Sequence, residues 1–443
     1  MLARASLRTA LPIAIPVVAW SWFIVYSYPG LVTWDGVLQL GEARHGVYSD
    51  DLPALYIAIW HLVDRIVPGP GGMLVLQSTI LVVGLVGLFR RVLEPLGASI
   101  AASAVLLFPP VMVPMTAVWT DSFMAALLVA GTAALLSDRR GLNVAGAAAM
   151  LVATATRYNA AAATLVPMLV VDWRPAWRGI RRYALAAAVW IAVTAAAFAA
   201  DGALNDKQMH SWQTTIAVFD IVGTISHVDA PMSDDELSRV LAGTELRQSH
   251  DIQAAARMIY DPRDYFRAVA DDDRAFWRVP WYDPPPPEQR DALARAWWQL
   301  VTEHPFAYLE HRLAVTRELL RDNGAAVPWR GTFREPQPER ERLGLATSWP
   351  RYQVSLTHAM QRLERNSPLF TPWLFLVVAI AVAPFALRMR DFGALVASGI
   401  LYEGTLVVFA SSLDYRYSHW LITATTIAVV GVVARRVRAR GAV

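Results

Sequence analysis

The chain has 443 residues, 55% of them hydrophobic and only 17% charged, where soluble domains usually carry about 25% charge; its mean hydropathy is +0.34. Long uncharged runs alternate with short arginine-bearing loops, which excludes an ordinary soluble domain and describes an all-α polytopic membrane protein. No cysteine is present, so a disulfide framework, a thiol nucleophile and a thiolate metal site are all excluded. Lys207 is the only lysine, and the basic residues are arginines to be explained by side of membrane rather than by nucleic acid.

Arg4 and Arg8 precede an apolar run from Leu11 to Tyr28 that lacks a small-x-small cleavage site and exceeds a signal core in length. The run is expected to be a retained first span. Ten spans are expected near 9–28, 71–89, 96–118, 122–137, 141–156, 160–173, 183–200, 369–387, 392–410 and 418–434. In the first outer loop, 29–70, the stretch 52–67 is too short and too charged to span. Its apolar face (Leu55, Ile59, Leu62, Ile66), with His61, Asp64 and Arg65 opposite, suits a helix lying in the interface. Pro109, Pro110 and Pro114 break the third span close to its outer end.

Arginine placement supports the count. If Arg4 and Arg8 are cytoplasmic, every second loop should be basic, and Arg90-Arg91, Arg139-Arg140, Arg174 to Arg182, Arg388 with Arg390 and Arg435 to Arg440 fall there. Both termini are then expected in the cytoplasm. The chain divides into an N-terminal membrane module (1–200), an external region (201–368) and a C-terminal membrane module (369–443). The external region is expected to be mostly helical. Ser233 to Glu236 resembles a capping box, and Leu293, Trp297, Leu300, Phe306, Leu309 and Leu313 have helical spacing. Glu303-His304 and Glu310-His311 are expected to be polar turns, Asp271 to Asp273 a solvated charge run, and Pro284 to Pro287 and the REPQPERER run (334–342) extended loops.

The polar residues then converge on one side. Asp35, Asp50 and Asp51 lie in the first outer loop, Asp121 where the third span emerges, Arg157 after the fifth, and Asp414, Arg416 and His419 before the last. Glu403 is the main ionisable group within the spans. A transporter would place charges near the midplane, whereas an enzyme acting on a lipid-borne headgroup needs them at the interface.

On these residues the chain resembles the type C (GT-C) glycosyltransferases, bacterial polyprenyl-phosphate-sugar-dependent members in particular. The resemblance is carried by Tyr28-Pro29-Gly30 followed by Trp34, Asp35, Gly36 and Gln39, by the acid at the third span's exit, and by Tyr415-Arg416-Tyr417 before the last span. It departs from relatives that have His-Pro-Pro at the interfacial helix, where this chain has Asp51-Leu52-Pro53, and from those with Lys-Asp at the third exit, where it has Thr120-Asp121. The resemblance implies inverting transfer of a sugar from a polyprenyl phosphate donor to a hydroxyl of a glycan or lipid acceptor, at the periplasmic face of a bacterial cytoplasmic membrane. Such chemistry calls for a carboxylate base, assigned to Asp35, and for arginine forks on the leaving phosphate, assigned to Arg416 and Arg157, with Tyr415 or Tyr417 as an auxiliary donor. Asp51 and Gln39 join the substrate-binding set. Asp121 is left three roles: holding an arginine, orienting the sugar, or binding a divalent metal (Mg or Mn).

Plainer roles exist for each residue. Asp35 suits a Trp-Asp-Gly turn, Asp121 a helix cap and Arg157 snorkelling to headgroups; the tyrosines beside Arg416 suit interfacial anchors. A transporter or flippase of lipid-linked sugars, and a membrane scaffold, are the competing readings.

Overall fold

The computed structural model describes residues 2–50, 52–208, 212–246, 251–268, 285–321, 337–345 and 348–440. Asp51, Asp271 to Asp273, Pro284 and the start of the REPQPERER run lie outside the described residues. The described chain is helical, and its only strand-like pairings are three isolated bridges, Leu31 with Ala117, Ser49 with Lys207 and Asp264 with Ser412.

Each of the ten expected apolar stretches is helical. Among the described residues, five segments are long and apolar enough to cross a membrane alone: Ala10–Ser27, Gly71–Phe89, Ile180–Leu204, Arg390–Phe409 and Tyr415–Arg438. Thr120–Leu135, Ala160–Leu169 and Pro372–Ala386 are apolar but shorter. The lipid-facing surface is evident in single apolar side chains that no protein contact covers: Ile13, Val18, Val83, Ile191, Ile380 and Val433 are each more than half exposed.

The expected third span is two helices, Pro95–Leu106 and Pro109–Met115, bent by 68°; counted as one, they make a sixth spanning segment. Pro109 explains the break, because its ring disfavours helical backbone at Phe108. The carbonyls left at the far end are answered from a neighbouring helix. Gln77, buried in Gly71–Phe89, donates Nε2 to the carbonyls of Met115 (3.0 Å) and Ala117 (2.8 Å).

Helix Thr120–Leu135 is buried along most of its length, because its neighbours approach through small residues. A Cβ added at Gly84 would lie 2.6 Å from the Ala130 nitrogen, and one at Gly146 2.7 Å from the Leu135 nitrogen. That packing fixes the depth of Asp121, in the first turn of the helix. The loop after the first helix is stitched to the same place. Leu31 N donates to Thr116 O and Val118 N to Leu31 O, both at 2.9 Å. The preceding residue must be glycine, since Gly30 has φ +105° and a Cβ there would meet Val118 Cγ2 at 2.9 Å. Asp35, four residues past this stitch, is thereby delivered to the same arginine that Asp121 approaches, Arg416.

The stretch expected to lie in the interface forms helix Ala54–Asp64. It turns Tyr56, Ile57 and Trp60 into the protein; Leu62 is exposed, as is Ile66 just past its end. Asp201, at the end of Ile180–Leu204, caps it by accepting Leu55 N at 2.9 Å. In the 201–366 region the Ser233 cap is present, its Oγ accepting Glu236 N at 3.2 Å. The long helical stretch expected after 288 is divided by Pro305 into Pro287–Glu303 and Pro305–Arg321. In the second of these Phe306, Leu309 and Leu313 are exposed, and Ala307, His311, Arg312, Val315 and Leu319 are buried.

Sidedness can be tested in this cysteine-free chain. Ala230→Cys is expected to react with a membrane-impermeant maleimide added from outside, and Arg140→Cys only after permeabilisation. The opposite labelling pattern would contradict the arginine-based topology.

Candidate active site

Four helix ends and loops meet where the 201–366 region joins the apolar helices. Each carries one charged side chain to a common point. Asp35 is the second residue of helix Trp34–His45, Asp121 the second of Thr120–Leu135, Arg157 the residue after Arg140–Thr156, and Arg416 lies in the 3-10 turn Tyr415–Ser418.

Arg416 is the hub, with a side chain only 14% exposed. Its Nη1 is 2.5 Å from Asp35 Oδ2, its Nε 2.7 Å from Asp414 Oδ2 and 3.9 Å from Asp121 Oδ2. Asp121 is fully buried and pairs with Arg157, whose Nε is 3.1 Å from its Oδ1. Asp414 also fixes the turn, accepting Arg416 N at 3.1 Å. Aromatic faces complete the seat. The Arg416 guanidinium is 5.0 Å from the Trp119 ring centroid and 5.5 Å from that of Tyr417, which also carries Arg157 at 4.9 Å. Trp119 is held by its Nε1 donating to Thr33 Oγ1 at 2.8 Å.

Three carboxylates against two guanidiniums give the cluster one net negative charge when all are ionised. Asp35 and Asp121 each sit in the first turn of a helix, where the positive end of the dipole favours an anion. Burial pushes Asp414 up to about 6 even though Arg416 opposes the rise. Burial, with the nearby charge of Asp121, also raises the Tyr56 phenol well above its usual range.

The structure thus brings together Asp35, Asp121, Arg157, Arg416 and Tyr417. Tyr415 does not stand with them: it is fully buried, its hydroxyl donates to the Pro110 carbonyl at 3.4 Å, and its ring packs on Phe370. Gln39, one turn after Asp35, is buried, and its Oε1 has no hydrogen-bond partner among the described residues. Asp51 lies outside the described residues. Asp35, Asp121 and Asp414 converge on Arg416 rather than on one another, and among the described residues no three His, Asp or Glu side chains stand together as metal ligands. Sequence reasoning missed Trp119 as a seat for Arg416 and Asp414 as its second partner. The only local signal for Asp414 was its place two residues before the arginine.

Comparison with known proteins finds distant structural likeness alone. No family model matches the chain. No curated protein matches it either. Among solved structures it is similar to ArnT from Cupriavidus metallidurans bound to undecaprenyl phosphate, with 14% identity, a TM-score of 0.35, and coverage of 97% of this chain and 78% of that one. The apo state of the same protein gives 15% identity, a TM-score of 0.34, and coverage of 99% and 79%.

A second buried charge cluster lies in the 201–366 region, where polar turns were expected. Asp220 Oδ1 is 3.0 Å from His311 Nε2 and 2.5 Å from Arg312 Nη2, while its Oδ2 accepts Trp297 Nε1 at 2.7 Å. The Tyr260 hydroxyl is 2.9 Å from His311 Nδ1. Burial lowers His311 to about 4, despite its bond to Asp220. The sign of the pH effect follows. An unfolded histidine protonates near 6.5, so between about pH 4 and 6.5 the unfolded chain binds more protons, and stability is lost as the pH falls through that window. The unfolding temperature of detergent-solubilised protein is expected to drop between pH 7 and pH 4.5, and His311→Gln to flatten the drop. An equal drop in the variant would contradict this account.

Proposed function

We propose that the chain is an integral membrane glycosyltransferase of the GT-C type, moving a sugar from a polyprenyl phosphate to an acceptor hydroxyl, with inversion, at the periplasmic face of a bacterial cytoplasmic membrane. One observation carries this reading: a partly exposed carboxylate, Asp35, is held 2.5 Å from a buried guanidinium, Arg416, at the end of a set of apolar helices. A base and a leaving-group cation are the two groups such a displacement needs. Charges at helix ends also suit a headgroup reaction better than transport through the midplane.

The proposed step is a single displacement. The acceptor oxygen attacks the anomeric carbon from the face opposite the phosphate, and its proton passes to an Asp35 oxygen. The sugar–phosphate bond breaks, and its electron pair stays on the phosphate oxygen. Arg416 and Arg157 hold that oxygen through charge-assisted hydrogen bonds. Before the donor arrives, Arg416 is committed to Asp35. A phosphate oxygen competing for Nη1 takes the place of Asp35 and releases its carboxylate toward the acceptor. The exchange adds negative charge to a cluster already at minus one. Asp414, which burial pushes up to about 6, is suited to taking up a compensating proton, and the helix N-termini at Asp35 and Asp121 offset the remainder.

Asp35→Asn tests the reading, because it removes the base while Asp414 still pairs with Arg416; folding is checked by the unfolding temperature. Transfer is expected to fall at least about 100-fold, while undecaprenyl phosphate, followed by native mass spectrometry, still binds. Arg416→Lys is expected to lose lipid binding despite its charge, since one ammonium cannot reproduce the planar fork. Near-normal transfer by Asp35→Asn would return Asp35 to a turn residue, and normal lipid binding by Arg416→Lys would remove the arginine from the phosphate site.

A further inference from the structure

We infer that Arg312, in helix Pro305–Arg321, is a positioning residue for Arg416: it grips the chain leading into the Arg416 turn and so sets where that guanidinium stands. The kinetic side of this inference rests on the transferase reading; its structural side does not.

The segment from Ala410 to Ser418 is held at both ends by different parts of the protein. Its second half docks into the apolar helices, through Tyr415 on the Pro110 carbonyl and through Ser418 Oγ, which donates to Glu403 Oε1 at 2.8 Å. Its first half is held by the 201–366 region. Arg312 Nη1 donates to Ala410 O at 2.8 Å. Tyr265 N donates to Ser411 O at 3.2 Å, and Leu413 N to Arg263 O at 2.9 Å, on either side of the Asp264–Ser412 bridge. Ser412 carries the hold inward, its Oγ lying 3.1 Å from the Tyr417 hydroxyl. The Tyr417 ring in turn lies against both Arg157 and Arg416.

Arg312 is suited to this part because its own orientation is fixed. Its side chain is 2% exposed, and Nη2 is pinned 2.5 Å from Asp220. In a planar fork, fixing one nitrogen directs the other, and here the other meets Ala410. Asp220 is itself held by Trp297 and His311, and His311 by Tyr260. The buried cluster therefore ends on a backbone carbonyl six residues before Arg416.

Three variants separate positioning from bulk stability. Arg312→Lys keeps the counter-charge of Asp220 but cannot reach both Asp220 and Ala410. Asp220→Asn with Arg312→Gln removes both charges, so no lone buried ion is left to unfold the protein. Ser233→Ala removes a helix cap elsewhere in the same region and touches neither the buried cluster nor Ala410. The two Arg312 variants are expected to speed backbone hydrogen exchange at 411–417 and to lower kcat/KM for the donor by about 10- to 100-fold, as a small misplacement of a binding group does. Ser233→Ala is expected to lower the unfolding temperature while leaving both readouts at wild-type values. Unchanged exchange and unchanged donor kinetics in the Arg312 variants would overturn the inference, and so would equal changes in Ser233→Ala. If wild-type protein transferred no sugar from any polyprenyl phosphate donor, the transferase reading would fail, and the exchange comparison would still decide the role of Arg312.

Discussion

A guanidinium taken out of water has to be matched by carboxylates, and much of the arrangement around Arg416 follows from that constraint. Removing one partner of such a buried pair costs about 3–5 kcal/mol, so the chain supplies partners from several directions. Asp414 comes from the same turn, Asp35 from the loop after the first helix and Asp121 from a helix locked in the core. Each approach has its own local device. The Leu31–Ala117 bridge and Gly30 deliver Asp35. Close approach at Gly84 and Gly146 sets the helix bearing Asp121. Gln77 secures the proline-broken segment between them.

On the proposed function, the same constraint bears on how a negatively balanced cluster would serve an anionic donor. Without a donor, the charge of Arg416 is masked by Asp35 and Asp414. A phosphate would then trade places with a carboxylate rather than enter an open cationic pocket, and such an exchange would tie donor binding to release of the base.

Much of this was legible in the sequence, for physical reasons that differ by residue. Apolar length and arginine placement report on the solvent around a helix, so the helical stretches were readable to within a few residues. Asp35, Asp121, Arg157 and Arg416 stood out together because charges are scarce in such a chain and fall at helix ends, and Tyr417 entered through the resemblance of the Tyr415-Arg416-Tyr417 stretch. Tyr415 was nominated beside Arg416, but adjacent residues in a tight turn point in different directions, and its hydroxyl meets Pro110 instead. The helix after Pro305 was legible in the spacing of Phe306, Leu309 and Leu313, but its buried face was not: that face is built around the His311, Arg312 and Asp220 cluster, whose partners lie about ninety residues apart in sequence. Hydropathy periodicity cannot register a polar core of that kind.

A structure determined with a polyprenyl phosphate or a non-hydrolysable donor analogue tests the central claim most directly. The account predicts phosphate oxygens within hydrogen-bond distance of the Arg416 and Arg157 guanidiniums, and an Asp35 carboxylate drawn away from the 2.5 Å contact that it makes here. A lipid phosphate seated elsewhere, with the Asp35–Arg416 pair intact beside it, would contradict it.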